Sequence, residues 1–249
     1  MMRRMPMRAQ HVFLFSALAL SAASCVDNDT SLYVEGVLHV APPGCEVSAD
    51  PTSTRILRGT LDVAFLRSYV ANVLVANQLT PRGSKAQLRT ETMGVEIRGA
   101  EIVLTNAEGA VLEEFSVPSG GFVHASEGEA PGYGSALVTL IPPSRGQALF
   151  DQLSSGSRGD ARTVIANVRV FGDTLGGIEV TSGEFTYPID VCLGCLIDFP
   201  LEAIEDTGAG RICGGAADSV TTTQCIRGQD ATIDCRTCAT TLQLCAQLD

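Results

Sequence analysis

The sequence has 249 residues, a formal net charge of −11 and 45% hydrophobic residues. Such an excess of acid argues against binding to nucleic acid, or to anionic lipid through charge alone, because both attract basic surfaces. The length suits one well-packed domain with a small appendage, and the lack of Trp argues against an aromatic platform for carbohydrate.

The first 24 residues have the three parts of a secretory signal peptide. A basic start with three arginines precedes an apolar run over residues 12–24, and small residues lead into Cys25. The run is too short to span a bilayer, which takes about 20 residues. We therefore expect residues 1–24 to be removed during export.

Residues 22–25, Ala-Ala-Ser-Cys, resemble the lipobox of bacterial lipoproteins, although Ala22 stands where that family usually has Leu. The resemblance implies lipidation of Cys25, which would make residues 25–31 a short tether between lipid and fold. Val26 rather than Asp follows the cysteine, and by the same resemblance this favours the outer membrane or cell surface. An ordinary signal peptide that ends near a cysteine is the alternative.

From residue 32 to residue 191 the sequence mostly alternates between apolar and polar residues, which is typical of half-buried strands. The positions predicted to face inward in four of these segments are Leu32, Val34, Leu38, Val40, Leu61, Val63, Phe65, Val164, Ala166, Val168, Val170, Phe185, Tyr187, Ile189 and Val191. The same alternation places Asp62 on the outer face.

Local signals divide the strands. Residues 106–109 and 172–177 have the composition of hairpin loops. In VEIRGAEIVL the inward positions change parity, which predicts a bulge near Gly99. Pro188 predicts an edge strand, because proline has no N–H to donate. One helix is predicted in residues 142–156 from its apolar spacing.

About eight strands with little helix predict a mainly β fold, an antiparallel Ig-like β-sandwich over residues 32–191. The resemblance to immunoglobulin domains is one of architecture only, because their Cys…Trp…Cys core is absent. A closed barrel is the alternative arrangement.

Residues 192–249 differ from the rest in composition. Seven of the nine cysteines lie there: Cys192, Cys195, Cys213, Cys225, Cys235, Cys238 and Cys245. Residues 26–191 contain only Cys45. We predict a small disulfide-rich, partly helical C-terminal module, with Asp230 as N-cap of a helix that carries the last three cysteines.

The pair Cys192 and Cys195 admits three interpretations. Together with the CxxC pair near the C-terminus it has the spacing of a four-cysteine zinc site. A redox CxxC normally starts a helix, whereas Cys192 ends a strand pattern. Export favours structural disulfides. Without Cys25 eight cysteines remain, an even number, and the odd count in the tail requires one bond to Cys45, although the sequence does not choose the pairing.

The remaining chemical groups form no recognisable site. His39 lies on a predicted strand, His124 lies in a polar loop, and Ser135 lacks the GxSxG spacing of a nucleophile elbow. We therefore predict no catalytic residue, no metal ligand and no cofactor.

The segments SLYVEGVL, VANQLTPRG, YPIDVCLGC and DCRTC resemble cell-envelope lipoproteins of the myxobacterial type with a cysteine-rich C-terminal tail. The resemblance implies an envelope location and no activity. We expect a lipid-anchored protein of the outer membrane or cell surface, a non-enzymatic binding or scaffold subunit that contacts the membrane through Cys25 and has an envelope protein as partner. An envelope enzyme or small-ligand-binding protein with a loop-assembled site is the alternative, and a zinc-binding tail module is a lesser one.

Overall fold

The computed structural model describes residues 31–248 apart from residues 85, 209, 218, 219 and 221–223. The predicted signal peptide and Cys25 lie outside the described residues. The described strands are β1 (Leu32–Leu38), β2 (Arg55–Ile56), β3 (Gly59–Asp62), β4 (Tyr69–Asn77), β5 (Val95–Asn106), β6 (Val111–Val123), β7 (Gly132–Ile141), β8 (Ala161–Thr174), β9 (Glu179–Thr181), β10 (Phe185–Cys192), β11 (Ile197–Asp198), β12 (Ile204–Asp206), β13 (Arg211–Cys213), β14 (Ile233–Asp234) and β15 (Gln247–Leu248). The α-helices are α1 (Pro143–Leu153) and α2 (Gln243–Ala246), and single 3-10 turns lie at Leu201–Ala203 and Cys235–Thr237.

The first sheet has the order β2-β1-β4-β7 and is antiparallel throughout. Its register slips between Val34 and Gly36, where β1 pairs with β4. The slip reverses the faces of the residues that follow. As a result Val37 belongs to the core cluster. The prediction of Leu38 as a buried position is correct, since it is 2% exposed, whereas Val40 is only half-buried.

The second sheet has the order β3-β10-β8-β5-β6, with β9 paired to β8. The pairing of β3 with β10 is parallel and the others are antiparallel. The predicted bulge is confirmed, because the register of β5 slips between Ile97 and Gly99 against both neighbours. Both predicted hairpin loops are confirmed by backbone hydrogen bonds that close them, Gly109 to Asn106 and Gly177 to Thr174.

The edge-strand prediction from Pro188 is wrong for the strand as a whole. The strand β10 lies between β3 and β8, but β3 pairs only with its residues 189–192. At Pro188 the strand therefore has a neighbour on one side alone, which is where a residue without an N–H is tolerated.

The two sheets enclose one aliphatic core, so the predicted β-sandwich is confirmed. The alternation along β8 is correct, since Val164, Ala166, Val168 and Val170 are all at most 1% exposed. The helix α1 is also as predicted and buries Leu149 and Leu153 against the core. Its Gly146 allows close approach, because an added Cβ would lie 1.7 Å from the carbonyl oxygen of Arg67.

The C-terminal segment, residues 192–248, consists of short pieces. The strand β11 pairs with β14, and β12, β13 and β15 form a small sheet. The single helix predicted from Asp230 is wrong, because the backbone there bonds to other parts of the chain: Ile233 donates its N–H to Leu196. The Asp234 side chain then accepts the N–H of Arg236 and starts a 3-10 turn instead. That residues 192–249 are a separate module stays a prediction.

The strands give the sandwich two ends. The Leu32 end contains the start of β1, which is joined through Asn77 of β4 to Gly132 of β7. The opposite end, called the Cys192 end, contains α1, the close of β10 and the C-terminal segment. The 12-residue strand β5 runs from one end to the other, a length of about 40 Å at about 3.3 Å per residue.

Candidate functional site at the Cys192 end

The C-terminal segment joins the sandwich along β3. Residues 228–230 run antiparallel to this strand on the side away from β10. The N–H of Asp62 donates to the carbonyl of Gly228 over 2.8 Å, and the N–H of Asp230 donates to the carbonyl of Thr60 over 3.0 Å. Residues 228–230 thus cover β3, which would otherwise be an exposed edge of the second sheet.

Asp62 is fully buried at the end of β3. Its carboxylate accepts the backbone N–H groups of Gly194 over 2.7 Å, Leu196 over 3.0 Å and Ala64 over 3.0 Å. Burial raises the pKa of this carboxyl, and it outweighs the three hydrogen bonds and the charge of Arg67, which lower it. The side chain therefore holds the loop that contains both cysteines of the CxxC pair.

Cys192 and Cys195 form a disulfide across that loop. Gly194 takes φ of +73°, a conformation that glycine adopts without strain. Cys192 is fully buried, whereas Cys195 is exposed. The two sulfurs and a carboxylate oxygen of Asp62 all lie within 4.8 Å of one another.

Sequence reasoning missed Asp62, because alternation placed it on the outer face. That outer face is covered by residues from the far end of the chain, which no local pattern reveals. The only available signal was that Asp62 ends a short strand, where an acceptor can cap backbone N–H groups of a neighbouring loop.

A second carboxylate, that of the half-buried Asp230, lies on the other side of the same strand. It accepts the N–H of Thr60 and the hydroxyl of Tyr69, both over 2.7 Å. The Tyr69 hydroxyl also lies 3.1 Å from that of Tyr187. Burial raises the pKa values of Asp230 and Tyr69, and it raises the pKa of Tyr187 to about 12. This network fastens the C-terminal segment to β3 and the core.

The other six cysteines of the predicted set are also paired. The bonds are Cys45–Cys225, Cys213–Cys235 and Cys238–Cys245. The expectation of disulfide bonds is thereby confirmed, and one bond links the segment to Cys45. In the loop-entropy account, the 180-residue separation of Cys45 and Cys225 corresponds to about 5 kcal/mol and the three-residue separation of Cys192 and Cys195 to about 2 kcal/mol.

The four sulfurs of the zinc alternative do not meet. They belong to three different disulfides, with Cys235 bonded to Cys213 and Cys238 bonded to Cys245. A disulfide sulfur is not the thiolate that zinc binds. The oxidised protein therefore does not present the four-cysteine ligand set.

The remaining candidate residues are separated. His39 is exposed near the Cys192 end, while His124 is exposed at the Leu32 end, where its ring meets the edge of Phe122 at 5.0 Å. A cavity of about 50 Å³ lies beneath the C-terminal segment, with His39 and Asp230 in its lining. Ligand pockets hold about 300–1,000 Å³, so this cavity is too small to take an ordinary small-molecule ligand.

The fold and its bonds define a class, the disulfide-bonded, mainly β proteins of an oxidising compartment, because four disulfides persist only where thiols are oxidised. Comparison with protein-family models and with curated proteins found no match to the chain. Among the described residues no helix is long and apolar enough to cross a membrane.

Proposed function

We propose that the chain is a lipid-anchored protein of the outer membrane or cell surface, and that it acts as a non-enzymatic binding or scaffold subunit of the envelope. One observation carries the proposal: the strand that follows Cys25 opens at one end of the sandwich and the disulfide-bonded segment lies at the other. An anchored molecule of this shape presents the C-terminal segment away from the membrane.

The dimensions support this arrangement. Six residues separate Cys25 from Leu32, so the tether reaches at most about 25 Å at about 3.5 Å per residue. The sandwich adds about 40 Å more along β5. The Leu32 end therefore faces the lipid, and the Cys192 end is the surface that a partner in the envelope meets first.

The anchor is tested by replacing Cys25. We expect Cys25→Ala to shift the protein from the membrane fraction to the soluble exported fraction, because no acyl chain is attached. The paired change Cys192→Ala with Cys195→Ala is the matched control, which removes two cysteines outside the lipobox and leaves membrane association unchanged. Membrane association of Cys25→Ala equal to that of the unaltered protein would contradict the proposal.

The binding surface is tested with two exposed leucines at opposite ends. Leu201 is 86% exposed on the C-terminal segment, and Leu88 is 94% exposed in the loop between β4 and β5 at the Leu32 end. A photo-crosslinking amino acid is placed at each position in intact cells. A discrete cross-linked protein from position 201 and none from position 88 is expected. Equal products from both positions, or products from position 88 alone, would contradict presentation of the Cys192 end.

A further inference from the structure

The disulfide between Cys192 and Cys195 is expected to contribute least to the fold, and one of its two cysteines is exposed. Its ring is the smallest of the four, with a sequence separation of 3, against 7, 22 and 180 for the others. Small rings restrict the unfolded chain least. Both cysteines are buried in Cys213–Cys235 and in Cys238–Cys245, whereas Cys195 is exposed, as is Cys45 in the bond to Cys225.

The accessible bond also has an acid beside it. In the described part of the chain, Asp62 with Cys192 and Cys195 is the one group of three potential ligand side chains whose atoms all lie within 4.8 Å. Two of the three hydrogen bonds to the Asp62 carboxylate come from Gly194, inside the loop of the disulfide, and from Leu196, directly after it. The exposed sulfur, the buried sulfur and the carboxyl group are therefore held in one fixed arrangement.

We propose that Cys192–Cys195 is a thiol–disulfide exchange site that accepts two electrons from a dithiol of an exported polypeptide. A thiolate of the dithiol attacks the sulfur of Cys195, the bond between the two cysteines breaks, and Cys192 leaves as a thiolate. The second thiolate of the dithiol attacks its own sulfur in the mixed disulfide and releases Cys195. The chain gains two electrons and two protons, and the dithiol becomes a disulfide.

In this reaction Asp62 supplies the proton that the sulfur of the buried Cys192 takes up. A thiolate formed at Cys192 is shielded from water, so its proton comes from a neighbouring group, and the Asp62 carboxyl is within 4.8 Å. Burial raises the pKa of that carboxyl, which shifts it towards the acid form. The charged side chains facing the site are Arg67, which favours the Asp62 carboxylate, and Arg158, which packs against Gly194.

Because each molecule holds one such bond, one molecule oxidises one dithiol and then stays reduced. The exchange is stoichiometric and is compatible with a binding or scaffold subunit. It stands on the geometry of Cys192, Cys195 and Asp62 and does not depend on the lipid anchor, so failure of either proposal leaves the other to be judged separately.

The order of reduction is the first test. The folded, fully oxidised protein is incubated with dithiothreitol, free thiols are alkylated, and the modified cysteines are located by mass spectrometry. We expect Cys192 and Cys195 to be modified at least about tenfold faster than Cys213, Cys235, Cys238 and Cys245, because attack needs an accessible sulfur. The comparison is with these two buried disulfides, because Cys45 is exposed as well. Earlier opening of Cys213–Cys235 or of Cys238–Cys245 overturns the proposal.

The direction of attack is tested with two single variants and oxidised glutathione as the probe. Cys192→Ser leaves the exposed thiol and should form a mixed disulfide about tenfold faster than Cys195→Ser, which leaves the buried one. Equal rates, or faster reaction of Cys195→Ser, overturn the assignment of Cys195 as the attacked sulfur. Electron balance is checked with a reduced peptide containing two cysteines, which should lose two hydrogens for each protein disulfide opened.

The role of Asp62 needs a readout beyond loss of rate. The dithiothreitol rate is measured from pH 5 to pH 9 for the unaltered protein and for Asp62→Asn, and the ratio of the two rates removes the titration of the reagent. A carboxyl that donates a proton makes the ratio largest at low pH and brings it towards one as the pH rises through the pKa of Asp62 in the folded protein. A ratio independent of pH overturns proton transfer by Asp62.

Discussion

The sandwich and the C-terminal segment are stabilised in different ways. The sandwich has one continuous core made of aliphatic side chains from both sheets. The described part of the segment has two small buried clusters, and four of their seven residues are Cys213, Cys235, Cys238 and Cys245. The C-terminal segment is too short to bury a large apolar area. Disulfide bonds, and carboxylates that accept backbone hydrogen bonds, stabilise it instead.

The largest expected effect is the loss of stability on removal of one disulfide, which measures the contribution of a covalent bond apart from that of packing. Replacing Cys45 and Cys225 together by Ser should lower the free energy of unfolding by about 5 kcal/mol, because the unfolded chain regains the freedom of a long loop. Cys45 is exposed and Cys225 is half-buried, so little packing is lost. The change is measured by urea unfolding without reductant.

The short ring supplies the control for that experiment. Replacing Cys192 and Cys195 together by Ser should cost only about 2 kcal/mol on the same loop-entropy basis. Equal losses for the two pairs would show that ring size does not govern their contributions, and the contrast between the bonds would have to be abandoned.

Removal of core volume tests the sandwich alone. Ile189 is fully buried in β10, and Ile189→Ala should lower the free energy of unfolding by about 3 kcal/mol, because a cavity remains where the side chain was. The matched surface change is Leu137→Ala on β7, a residue that is 55% exposed, where we expect less than about 0.5 kcal/mol. Similar losses at both sites would argue against the core as described.

The smallest effect concerns the dependence of stability on pH. Burial raises the folded-state pKa of Asp62 above its usual 3.8. The contribution of this group to stability is fully present below pH 3.8 and is lost as the pH rises through the raised value, with a slope of at most about 1.4 kcal/mol per pH unit. Asp62→Asn should remove that slope, as measured by urea unfolding between pH 4 and pH 7.

For Asp234, in the C-terminal segment, the expected dependence of stability on pH has the opposite sign. A hydrogen bond from Arg236 lowers the pKa of this carboxyl, so its contribution is present above pH 3.8 and is lost as the pH falls through the lowered value. Asp234→Asn should therefore destabilise the protein most at neutral pH. A loss that grows as the pH falls would contradict the pairing of Asp234 with Arg236.

The alternation of apolar and polar residues predicted the sandwich well where the strands are long and paired on both sides. The strand β8 has neighbours along most of its length, and its alternation of apolar residues matches the burial that the structure shows. The bulge at Gly99 was also predictable, because an extra residue changes the parity of every apolar position after it. The slip after Val34 left no such sign, since Val37, Leu38 and Val40 fit either face.

The candidate site was only half predictable. The cysteines and their need for one bond to Cys45 follow from counting, but the partners do not. Asp62 and Asp230 were assigned to a solvent-facing strand position and a helix cap. Both are instead hydrogen-bond acceptors along β3, Asp62 fully buried and Asp230 half-buried. Each assignment failed because the covering chain comes from a distant part of the sequence.

The bond between Cys45 and Cys225 closes most of the chain into a covalent ring that contains every strand of the two sheets except β1. The loop between β4 and β5 lies inside that ring and exposes Arg82 and Arg89, two sites at which a trypsin-like protease cuts. A single cut there opens the ring but releases no fragment. The nicked protein remains one molecule until the bond is reduced, and whatever holds the N-terminal part in place continues to hold the C-terminal part as well.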